Sequence, residues 1–217
     1  MRRLGPWLTL TAVAVLGIGL IVVNMSKETE PAAAEKNTAG TPSVVAPAAP
    51  LTDVPVPVRL PAKADYVGRI APATGAPITL SITVEEGKAI AYACDGASVE
   101  SWLQGTAVDA TLKLTGRNEA GLDGRYDGKT VTGTLTLGAK QWEFSTAAVQ
   151  SPAGLYVYTE GGVRQSWIVD GNGAVTGVQR AADGSTSPAP ALAADATAIV
   201  NGKKIMATKV SGGDSVG

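Results

Sequence analysis

Residues 77–95 read PITLSITVEEGKAIAYACD, and their register decides the fold. Apolar and polar side chains alternate from Ile78 to Val84, the two-residue period of a strand with one apolar face. A turn at Glu86-Gly87 sets Val84 opposite Ala89, Ile82 opposite Ala91 and Leu80 opposite Ala93, all on the face of Ile78. Glu85 then meets Lys88 as an opposite-charge pair. A slip of one residue would send the whole apolar set to water, so the sequence specifies an antiparallel hairpin in one register.

The same reasoning extends to residues 121–146, GLDGRYDGKTVTGTLTLGAKQWEFST. Turns at Asp127-Gly128 and Gly138-Ala139 place Val131, Leu135, Leu137, Trp142 and Phe144 on one side. Thr130, Thr132, Thr134, Thr136, Gln141, Glu143 and Ser145 fall on the other, which predicts one face in the core and one in water. Further strands are expected at Tyr66–Ala71, Thr111–Thr115, Leu155–Thr159, Val163–Val169 and Ala174–Gln179. About ten short strands without crossover helices predict an all-β domain, an antiparallel meander forming a barrel or a two-sheet sandwich. Gly68, Gly124, Gly133 and Gly177 fall inside strands, where curvature needs them.

The β-domain is expected over 64–180. A flexible linker at 181–195 follows, then a hairpin at 196–210 turning on Asn201-Gly202, and a tail at 211–217. On the other side, 26–63 holds seven of the 13 prolines without apolar periodicity, the composition of a disordered stalk. Within 1–25, Leu4 to Val23 is an uncharged apolar run of the length that crosses a bilayer. Arg2 and Arg3 precede it, which puts the N-terminus in the cytoplasm and the remainder outside. A cleaved signal peptide is the competing reading. The apolar run is long for one, and the nearest small-residue triplet, Ala32-Ala33-Ala34, lies far beyond it, so a retained anchor is favoured.

Composition narrows the chemistry. Net charge is −1 with both signs scattered, so there is no basic field for nucleic acid. The single cysteine makes no internal disulfide. The chain has no histidine, which removes the base of the usual serine and cysteine triads and the commonest zinc ligand. No cofactor is implied. Asp123 with Asp127, and Asp170 with Asn172, read as turn residues rather than cation ligands. Trp142 belongs with the apolar face, whereas the sides taken by Tyr156 and Tyr158 stay open between core and surface.

The most distinctive stretch is AYACDGASVESWLQG, residues 91–105. Cys94 lies on the hairpin face opposite Ile78 and Leu80, beside Tyr92. Ser98 as cap, Val99, Trp102 and Leu103 at helical spacing, and Gly105 as a stop predict one helical turn over that face. Cys94 would then be a small buried hydrophobe, because Asp95 and Glu100 carry the wrong sign to favour a thiolate. Tyr92, Cys94, Asp95 and Trp102 are the candidate ligand-binding residues.

With DYVGRI, AIAYACDGASVESWLQG, LKLTG, TVTGTLTLG, AGLYVY and WIVDGNGAVTGV in view, the chain resembles a group of actinobacterial exported or membrane-anchored β-proteins over Asp65 to Val178. The resemblance implies an envelope location and supplies no catalytic residues. The expectation is therefore an anchored extracytoplasmic module that binds an envelope protein, lipid or glycan. Two alternatives stay open: a barrel that carries such a ligand inside, and a hydrolase working through Asp, Glu or Cys94.

Overall fold

The computed structural model describes residues 57–215. The expected membrane span at Leu4–Val23 and most of the stalk lie outside the described residues. Among those described, no helix is long and apolar enough to cross a membrane.

Eight strands close into a barrel: β1 Lys63–Ile70, β2 Ile78–Glu85, β3 Lys88–Cys94, β4 Glu100–Val108, β5 Thr111–Gly116, β6 Gly121–Tyr126, β7 Thr130–Leu137 and β8 Lys140–Val149. Each pairs antiparallel with the next. β8 returns to β1 through Asp65 opposite Val149, Tyr66 opposite Ala148 and Val67 opposite Ala147. The β2–β3 hairpin has the register expected from sequence, from Leu80 opposite Ala93 to Glu85 opposite Lys88. Its turn residues Glu86 and Gly87 both have positive φ, the geometry whose twist matches the flanking strands. The β7–β8 hairpin also follows expectation, with Leu135 opposite Trp142. The β6–β7 connection is longer than the two-residue turn expected: Tyr126 pairs with Val131, not Lys129. The shift is an even number of residues, so Leu122 and Leu135 stay on the inner face and the core is unchanged.

The lumen is filled. Leu80, Ile82 and Val84 of β2 face the small side chains Ala93, Ala91 and Ala89 of β3, leaving room for Leu103, Leu112, Leu114, Leu122, Leu135 and Phe144 from the far wall. Leu60, just before β1, packs against the same cluster and donates its backbone N–H to Asp109 O. So narrow a barrel brings neighbouring backbones close. A Cβ at Gly133 would collide with the carbonyl oxygen of Asp123, and one at Gly68 with that of Ser145.

After the cis Ser151-Pro152 bond, β9 Gly154–Glu160, β10 Val163–Val169, β11 Val175–Arg180, β12 Thr186–Pro188 and β15 Thr208–Lys209 form a second sheet in the order β12-β11-β10-β9-β15. One face of this sheet covers the outside of the barrel: Leu155, Ile168 and Val178 meet Val67, Ile90, Tyr92 and Cys94. Tyr156, Trp167 and Val169 on its other face are covered by the hairpin β13 Thr197–Val200 and β14 Lys203–Met206. The domain thus has three layers, and β10 is buried on both sides over most of its length.

Between Lys63 and Arg180 the strands number eleven, against about ten expected. Three other sequence expectations change. The segment at 181–195, expected as a linker, contributes β12 and a bridge between Leu192 and Ala198. The polar face of β2 is not solvated, because the second sheet buries Thr79, Ser81 and Thr83. Finally, the helical turn around Trp102 is a strand. A turn of helix there would leave the edge of β3 unpaired and the barrel open, whereas β4 pairs Leu103 with Ala91 and Trp102 with Tyr92.

Candidate functional site

The local signal for a cap at residues 95–99 is real, but its owner is Asp95 rather than Ser98. Asp95 Oδ1 accepts the backbone N–H groups of Ala97, Ser98 and Val99 at 2.8, 2.8 and 2.9 Å. Its own N–H donates to Val99 O at 3.2 Å, closing a compact loop between β3 and β4. Partial burial pushes the Asp95 carboxyl up. The N–H donors from Ala97, Val99 and Ser98 outweigh that and hold it below the usual range. The loop delivers Glu100 to the first position of β4, opposite Cys94.

Cys94 is fully buried between the layers. Burial, with a smaller push from Asp95 and Glu100, drives its thiol up to about 12, past the opposing hydrogen bonds to Gly96 and Tyr92. It is a packed hydrophobe, as expected from sequence. Burial likewise raises the Tyr92 phenol well above its ordinary value, with the Cys94 and Glu100 charges adding to it.

Glu100 is the centre of the site. Its side chain is 3% exposed, and it accepts from Arg164 at 3.2 Å and Arg180 at 3.4 Å on Oε1, and from the Tyr92 hydroxyl at 3.2 Å on Oε2. The Arg164 guanidinium also lies 5.0 Å over the Trp102 ring, whose centroid is 4.6 Å from that of Tyr92. The five side chains come from β3, β4, β10 and β11, and so join barrel to second sheet. Around them opens a cleft of about 1070 Å³, walled by β4 and β5 on the barrel side and by β9 and the turn after β11 on the other. Glu100, Trp102, Arg164 and Arg180 line it together with Arg117 of the β5–β6 loop.

Of the four residues singled out from sequence, Trp102 lines this cleft, and Tyr92 is buried behind it against the Trp102 ring. Cys94 is sealed beneath the second sheet, and Asp95 is engaged in its own loop. Sequence reasoning missed Glu100, Arg164 and Arg180 as a group. They lie 64 and 80 residues apart, and no local pattern joins them. Of the carboxylates read as turn residues, Asp127 accepts from Lys129 and Thr130 and Asp170 from Asn172 and Ala174, as expected, whereas Asp123 lies within β6 and pairs with Lys113 of β5 at 2.6 Å. Tyr156 and Trp167 are buried between the second sheet and the β13–β14 hairpin, with Trp167 Nε1–H donating to Pro190 O at 2.8 Å, so they form no exposed aromatic row. No protein-family model, curated protein or solved structure matches the chain.

Proposed function

We propose that this chain is a membrane-anchored, extracytoplasmic binding module of the cell envelope, meeting its partner in the cleft between barrel and second sheet. The observation that carries this reading is the cleft's floor, Trp102 and a buried carboxylate shared by two arginines, beside an open volume large enough for a small ligand or a segment of a larger one. The apolar run at Leu4–Val23, the proline-rich stalk and the resemblance to exported actinobacterial β-proteins support the envelope location.

The two alternatives find less support. Leucine, isoleucine and phenylalanine side chains occupy the lumen, where a carried ligand would sit. A hydrolase using Cys94 needs a thiolate, and this thiol is buried and held protonated.

The test is co-sedimentation of the full-length protein, in detergent micelles, with envelope fragments of the cells that make it. Thr115→Trp and Thr159→Trp introduce bulk from opposite walls at exposed positions. Wild-type protein should be retained and the folded double variant released. Equal retention of the two, or no retention of wild type, would remove the cleft from the function.

A further inference from the structure

We propose that the cleft binds an uncharged glycan, held by hydrogen bonds from side chains on both of its walls. This rests on the binding reading above and names the class of partner.

The two walls are faces of sheets that diverge. On the barrel, Gln104 of β4 pairs with Thr115 of β5, and Trp102 lies two residues away on the same outward face. On the second sheet, Arg164 of β10 pairs with Thr159 of β9 and with Arg180 of β11, so the three share the face that also carries Leu155, Ile168 and Val178. Where those apolar residues meet the barrel, the layers are closed. Beyond them the layers part, and polar side chains line the gap from both sides.

Charge, hydrogen bonding and wall geometry together select the ligand. Glu100, Asp183 and Asp214 stand against Arg117, Arg164 and Arg180, so the lining carries no net charge to draw an ion of either sign. Hydrogen-bonding groups are in surplus instead. Gln104, Thr115, Asn118 and Thr159 line the cleft and are exposed, and none of them has a side-chain hydrogen bond among the described residues. Their amides and hydroxyls both donate and accept, as the hydroxyls of a sugar do, whereas an acyl chain would cover them and leave them unpaired. A peptide held by its main chain adds to a strand edge, but these walls are sheet faces that offer side chains. Gly116 on one side and Gly162 and Ala182 on the other keep the gap wide enough for a chain of sugar rings to lie along it.

Titration of the ¹⁵N-labelled full-length protein, in micelles of a detergent that carries no sugar, tests this at the Trp102 indole N–H, which Trp102→Phe identifies. That N–H is buried beside the cleft and has no acceptor among the described residues. The probes are three fractions from the envelope of the cells that make the protein: neutral oligosaccharides that pass both anion and cation exchangers, acidic oligosaccharides that the anion exchanger retains, and the peptides of a protease digest. The expected result is a saturable shift with the neutral fraction, its midpoint constant to within about twofold between about 50 and about 500 mM sodium chloride. Gln104→Ala and Thr159→Ala, at exposed positions on opposite walls, should each weaken that response severalfold and together about tenfold or more. No saturable response to the neutral fraction, a stronger response to the acidic or the peptide fraction, a midpoint that weakens steeply with salt, or an unchanged midpoint in the double variant would overturn the proposal. If wild-type protein still binds envelope fragments through the cleft in that case, the binding reading survives and only the glycan falls.

Discussion

The Cys94 thiol is packed among Val67, Leu155, Ile168 and Val178 and pushed up to about 12. Its alkylation should therefore wait on unfolding: in native protein at pH 8, iodoacetamide labelling followed by mass should run no faster than global opening measured by hydrogen exchange. Glu100 is the more consequential residue. Glu100→Ala leaves two guanidinium groups and a buried tyrosine hydroxyl facing one another, and urea unfolding should show a loss of about 3 kcal/mol. A neutral effect would mean that water reaches the cluster freely. These two residues also mark what could be read in advance. Burial of Cys94 was expected from a helical turn laid over the second face of the β2–β3 hairpin; the thiol is buried, but the cover is the second sheet. The role of Glu100 was not expected, because a carboxylate at the start of a strand looks solvated until distant arginines are folded onto it.

At the scale of elements, turns and close approaches fix the barrel. Asp127 accepts from the Thr130 hydroxyl and from the backbone N–H groups of Thr130 and Lys129, which lower its carboxyl from 3.8 to about 2. A depressed carboxyl stabilises the fold fully above its unfolded value, and the contribution is lost as pH falls from there through about 2. Asp127→Asn should thus flatten the acid side of the stability profile, and urea midpoints measured from pH 5 to pH 2 should fall less steeply than in wild type. Gly133 carries the opposite kind of constraint. In Gly133→Ala the new methyl meets the Asp123 carbonyl across the β6–β7 ladder, and thermal or urea unfolding should show a loss of roughly 1–3 kcal/mol. Both turns of the β2–β3 and β7–β8 hairpins were legible because alternation fixes register locally. The strand at Glu100–Val108 was not. Ser98, Val99, Trp102 and Leu103 satisfy a helical spacing as well as a strand, and what selects the strand is the open edge of β3, a demand that no five-residue window contains.

At the scale of the whole molecule, the second sheet completes the barrel from outside. Val67, Ile90, Tyr92 and Cys94 form an apolar patch on the barrel that Leu155, Ile168 and Val178 cover. A chain of residues 57–149 should bind a hydrophobic dye and associate, as read by light scattering, more strongly than one of residues 57–217, both made without the apolar run at Leu4–Val23. A monomeric, dye-silent barrel would show that the outer layers serve the cleft alone. The all-β class and the Asn201-Gly202 hairpin were readable from local pattern. The stacking of three layers was not, since a strand buried on both faces, such as β10, loses the alternation that marks a half-buried one.

The chain leaves the domain where it enters it. Ala62 O accepts the Glu86 N–H just before β1 begins, and Gly212 sits so close to the backbone of Glu85 that a Cβ there would fall 2.5 Å from its nitrogen. The two extremities of the fold are therefore neighbours across one tight turn. A short bridge is enough to join them, so new ends opened in an exposed loop elsewhere would yield a circular permutant with every strand pairing intact.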